Sequence, residues 1–68
     1  MKIITKNTEI EVTDECITAI YLNNDDRNII IEFSWLSMDF ELSIDVVTGE
    51  KVLYCLTEKK QYEIEEIE

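Results

Sequence analysis

Along much of this chain apolar and polar side chains take turns, and that period-two rhythm restricts the possible folds more than any other feature. It is plainest in Glu9-Ile10-Glu11-Val12, Phe40-Glu41-Leu42-Ser43-Ile44-Asp45 and Tyr62-Glu63-Ile64-Glu65. Successive residues of a β-strand point to opposite faces, so such segments bury one face and keep the other in water. Helical spacing of apolar residues is scarce. The polar partner in these segments is mostly a carboxylate, so each strand brings acidic groups to the surface.

Seven strands follow from the pattern. Residues 1–5 and 9–13 make the first two, with 6–8 as the turn between them. Residues 15–22 are apolar on both faces, with Ile17, Ala19 and Tyr21 on one and Cys16, Ile20 and Leu22 on the other. This suits a strand covered on two sides or placed at a dimer contact, with a short helix capped by Thr13 or Asp14 as the competing assignment. The β-branched content favours the strand. Asn23-Asn24-Asp25-Asp26-Arg27 is a polar turn. Residues 28–35 then set Ile29, Ile31, Phe33 and Trp35 on one face, and 40–47 do the same for Phe40, Leu42, Ile44 and Val46. Gly49, the one glycine, falls where a hairpin turn needs positive φ. Strands at 51–56 and 61–65 complete the set, and the last residues, 65–68, are expected to fray. Short strands joined by short turns predict a single acidic all-β domain over residues 1–68, a small antiparallel meander, barrel or sandwich of six to seven short strands.

Composition limits the chemistry. The chain holds 16 acidic and 6 basic residues, no histidine, and a formal charge of −10 over 68 residues. With 46% apolar residues it has enough core material to fold despite the charge. The same apolar surplus on so short a chain favours a homodimer. The residues after Met1 lack the apolar run of a signal peptide, and no stretch approaches a spanning helix, so a cytoplasmic location without membrane contact is the expectation. Cys16 and Cys55 read as buried thiols rather than a disulfide framework.

Catalysis is not expected. No histidine is present to activate a thiol or a serine, and a domain this small rarely has a deep pocket. No cofactor or metal is expected either: two isolated thiols do not make a transition-metal site, and the Asn23–Asp26 turn lacks the glycine and the twelfth-position glutamate of a calcium loop. Direct nucleic-acid binding fails on charge, because affinity for phosphate chains comes from clustered lysine and arginine.

The acidic rows point instead to a basic protein partner. Residues two apart on a strand are roughly 6.6–6.8 Å apart on one face, comparable with every second phosphate along a DNA strand, at about 3.4 Å per phosphate. Glu9 with Glu11, Glu41 with Asp45, and Glu63 with Glu65 are the candidate partner-binding carboxylates, able to occupy a groove built for a nucleic-acid backbone. The plain alternative is a solvated acidic surface. A second candidate surface is the apolar group Trp35, Leu36, Met38 and Phe40, whose default role is core filling.

In size, acidity and lack of catalytic residues the chain is similar, at the level of class, to small phage-encoded inhibitors, among them DNA mimics and anti-CRISPR proteins. That likeness implies a non-catalytic inhibitor docking its carboxylate face onto the basic surface of a nucleic-acid-handling protein. The other reading is a self-associating module, without inhibitory activity, that dimerises through the two-faced strand at 17–22.

Overall fold

A computed structural model describes all 68 residues. Eight strands are present: β1 (Lys2–Thr5), β2 (Glu9–Glu11), β3 (Ile17–Asn23), β4 (Asn28–Trp35), β5 (Met38–Asp45), β6 (Lys51–Cys55), β7 (Lys60–Tyr62) and β8 (Ile64–Ile67). A 3-10 turn at Asp14–Cys16 precedes β3, so residues 15–22 are first a helical turn and then a strand. All pairings are antiparallel, in a three-stranded sheet ordered β2-β1-β8 and a five-stranded meander ordered β3-β4-β5-β6-β7. The all-β expectation holds, as two sheets and not as a closed barrel.

The core lies between them. Ile3, Ile10 and Val12 from the small-sheet side pack with Phe33, Phe40, Leu42, Leu53 and Cys55 of the large sheet. Register explains the selection: Phe33 is opposite Phe40 and Phe40 opposite Cys55, while Ile31, Leu42, Leu53 and Tyr62 form the adjacent row. Phe40 is the centre of the aromatic group. Its ring stacks on Phe33 with centroids 5.3 Å apart, and Trp35 and Tyr62 meet it edge-on at 6.3 and 5.4 Å. Each such pair contributes about 0.5–1.5 kcal/mol beyond burial.

Turns follow residue chemistry at two places and defy it at two, one of them Lys59 at φ 57° between β6 and β7. Asn24, Asp25 and Asp26 take φ of 55, 56 and 64°, the left-handed region that Asn and Asp tolerate, and Gly49 takes 78°. The two-residue turn between β4 and β5 also needs positive φ at both positions, yet is built from Leu36 and Ser37 at 49 and 62°. Asn-Gly is the usual choice for such a turn.

Two bulges account for the departures from strict alternation at β3 and β8, while Ile30 is buried on the outer face of β4, between Tyr21 and Ser43, without one. Ile17 pairs with Phe33 but Ala19 with Glu32, so Thr18 is the additional residue. Ile17 therefore joins Ile20 and Leu22 on the inner face, not Ala19 and Tyr21 as alternation places it. At the C-terminus Ile4 pairs with Glu66 but Thr5 with Ile64, leaving Glu65 as the additional residue. Ile64 and Ile67 both reach the core by this device, although strict alternation sends them to opposite faces. The expected strand at 61–65 is thus divided at Glu63, and the residues expected to fray form β8 against β1. This is why eight strands appear in place of six or seven.

The small sheet does not cover the whole large one. Ile20, Leu22 and Ile29 lie on the inner face of β3 and β4 but outside the packed cluster. Ile20 is 62% and Leu22 56% exposed. No helix is long and apolar enough to cross a membrane.

Candidate protein-binding surfaces

On the small sheet the alternation sends every inner residue into the core and groups carboxylates outside. Glu9 and Glu11 of β2 stand opposite Ile4 and Lys2 of β1, and Glu66 of β8 stands opposite Ile4 on the other side. Glu68 joins them, since Lys2 and Glu68 exchange both backbone hydrogen bonds at 2.8 Å. The outer face therefore carries two cross-strand rows, Glu11–Lys2–Glu68 and Glu9–Ile4–Glu66. Its four carboxylates are solvent-exposed, and strand geometry places them at the corners of a rectangle of roughly 7 by 10 Å. Lys2 is the one cation among them, with its Nζ 3.9 Å from Glu9.

The other acidic candidates are dispersed. Glu63 lies between β7 and β8 and Glu65 is the bulged residue of β8, so the two do not form a ladder on one strand. Glu41 sits on the outer face of the large sheet, directly opposite Glu32, and Tyr21 donates a hydrogen bond to Glu32. That bond holds the Tyr21 phenol in its neutral form and pushes its pKa up to about 12.

Asp45 shares the outer face with Glu41 but is occupied by the fold. Its carboxylate accepts the N–H groups of Val47 and Thr48 at 2.9 and 3.1 Å and the Arg27 Nε–H at 2.9 Å. The Thr48 backbone donor and then the Arg27 guanidinium hold it below the usual carboxylate range. Asp45 ties the β5–β6 turn to the β3–β4 turn, which leaves little of it for a partner.

Trp35, Leu36, Met38 and Phe40 do not form one exposed patch. Phe40 is fully buried, Trp35 and Met38 pack against the core, and Leu36 alone projects, 71% exposed at its strained turn. For three of the four, core filling is the role the structure assigns.

One concavity of about 470 Å³ lies between the β1–β2 turn and β7, lined among others by Lys6, Trp35, Lys60, Tyr62 and Glu63. Two of the six cations border it. Lys60 is engaged there, 4.0 Å from Glu58 and 5.3 Å from the centre of the Tyr62 ring, and Glu63 offsets charge at the rim.

Both thiols are free, and each takes part in local hydrogen bonding. Cys55 is buried and accepts the Glu58 N–H at 3.4 Å. Cys16 is half-buried in the 3-10 turn rather than on a strand. Its sulfur lies 3.0 Å from Thr13 Oγ1 and accepts the Thr13 N–H at 3.3 Å, which lowers its pKa and completes a reciprocal cap. No three of the Cys, Asp and Glu side chains converge as a metal-ligand cluster.

Of the acidic candidates from the sequence, Glu9 and Glu11 lie on this face, and Glu66 and Glu68, not among those candidates, lie beside them. The overlooked signal was Ile67, an apolar residue in a segment otherwise acidic. Compared with protein-family models, curated proteins and solved structures, the chain matches none.

Proposed function

We propose that this chain is a non-catalytic protein-binding module that docks the outer face of its small sheet onto a basic surface of a partner protein. The observation that carries the reading is the quartet Glu9, Glu11, Glu66 and Glu68, four exposed carboxylates on paired strands around a single lysine. Along each strand the carboxylates repeat at roughly 7 Å, near the span of two phosphates on a DNA strand. A protein groove lined with lysine and arginine for a nucleic-acid backbone is the surface such a face fits. Occupying that groove would inhibit its owner, in the manner of a DNA mimic. Opposite fields would steer the encounter, so association should be fast and weaken with salt.

The test is charge reversal. Glu9→Lys with Glu66→Lys leaves the inner face untouched and should preserve the circular-dichroism spectrum and melting temperature. In nuclease-treated lysate, the wild-type chain should retain a basic protein that high salt releases and duplex DNA displaces, and the double variant should lose it. A variant that retains the same protein with the same salt response would sink the reading.

A further inference from the structure

β3 is an outer strand of the large sheet, bonded to β4 on one side and to nothing on the other. An edge of this kind presents unpaired N–H and C=O groups, and proteins that leave one open usually shorten, bend or charge it. Here the strand is seven residues long, and residues 16–24 carry no charged side chain, the longest uncharged run in a chain of net charge −10. The bulge at Thr18 twists only its first residues. Apolar groups are exposed on both faces of the rest: Ile20 and Leu22 on the inner side, Tyr21 at 42% exposure on the outer. Ile29 of β4 extends the inner patch, beyond the reach of the small sheet.

We infer that this edge is occupied by a second copy of the chain, β3 pairing antiparallel with β3 about a two-fold axis near Ile20 to give a continuous ten-stranded sheet. Antiparallel strand pairing is self-complementary, so one strand supplies both halves of an isologous contact. Charge allows a copy along residues 16–24, where β3 offers its twin only backbone and uncharged side chains, whereas elsewhere on so acidic a chain a self-contact opposes carboxylates at its centre. Just beyond the strand the same register brings Glu15 towards Asp25 and Asp14 towards Asp26, a repulsion that salt screens. Registration at Ile20 sets Ile20 against its own copy and Tyr21 against Ala19, a large side chain beside a small one. Edge pairing sets Ile20 beside its own copy and shields the β3 flank of the inner patch that the small sheet leaves bare.

This contact is independent of the acidic face, and salt separates the two. Screening the repulsion between chains of −10 should tighten the dimer, while the same salt weakens docking to a basic partner. Sedimentation equilibrium across a concentration and salt series should give a mass twice that of the 8.0 kDa chain, with slow amide exchange along β3. Ile20→Glu sets two carboxylates face to face and should yield a folded monomer. Ile20→Lys should do likewise, and mixing the two variants should restore the dimer. Three results would overturn the inference: a wild-type monomer with freely exchanging β3 amides, a dimer that both substitutions leave intact, or mixed variants that stay apart.

Discussion

The large sheet has two edges, and the chain treats them in opposite ways. β7 has three residues, begins with Lys60, and is preceded by Glu58 and Lys59. Its inner side chain, Tyr62, is fastened edge-on to Phe40 and donates a hydrogen bond to Glu58. β3 is more than twice as long, has no charge, and carries exposed Ile20 and Leu22 outside the core. Short length, charge and anchoring are how an edge is kept from pairing with other chains. β7 has all three, whereas β3 has a bulge at Thr18, Ile17 packed on the core and the Tyr21–Glu32 bond, but neither short length nor charge. One side of the sheet is closed, and the other is left able to pair.

The most severe way to break this contrast is to remove what anchors the closed side. Phe40→Ala deletes the ring on which Phe33, Trp35 and Tyr62 converge, at a cost of about 3–5 kcal/mol. A domain of this size holds roughly 3–10 kcal/mol in all, so the variant should be largely unfolded, with near-ultraviolet circular dichroism lost.

A paired comparison then sharpens it. In dilute solution, where any self-association is minimal, Tyr62→Ala should lower stability by about 2 kcal/mol, because its partly buried ring is a packed contact. Ile20→Ala, at an exposed position, should change it by less than about 0.5 kcal/mol. Urea titration of both variants checks the pair. Equal losses would mean that β3 is anchored as firmly as β7.

The mildest probe is pH. Each edge carries a tyrosine bonded to a glutamate, Tyr21 to Glu32 and Tyr62 to Glu58, and each phenol is raised from 10.0 to about 12. A raised pKa stabilises the fold fully below the unfolded value, and the contribution is lost as pH climbs from about 10 through about 12. Phenolate absorbance should therefore show two late-titrating tyrosines, with stability declining over that window. On the acid side Asp45 and Glu58 are depressed, the first chiefly by the Thr48 N–H and the second by Tyr62. Their contributions are present above the ordinary carboxylate range and disappear as pH falls through their lowered values. Asp45→Asn should flatten part of that acid limb.

Much of this architecture was legible in the sequence. Ile10 and Val12, Phe33, and Phe40 with Leu42 alternate with polar residues and are buried as alternation requires. Gly49 and the Asn-Asp turn fall at positive φ, where backbone sterics put them. The acidic face of the small sheet was half legible. Glu9 and Glu11 share a strand and so share a face, but Glu66 and Glu68 reach that face only because Glu65 bulges out of β8 and shifts the register.

Local pattern thus determined which residues are apolar, which are charged and where the chain turns, because side-chain period and turn sterics act over a few residues. Tertiary structure decided the rest. Burial of Ile64 and Ile67 gains more than an unbroken ladder, so the sheet accepts a bulge and the C-terminal residues become a strand. The same competition at Thr18 turns Ile17 inward. The contrast between the two edges also arises only in the assembled sheet, since neither β3 nor β7 is an edge until strand order makes it one. What exposes Ile20 and Leu22 is the extent of a second sheet that stops short of them, and no pattern within β3 itself could reveal that.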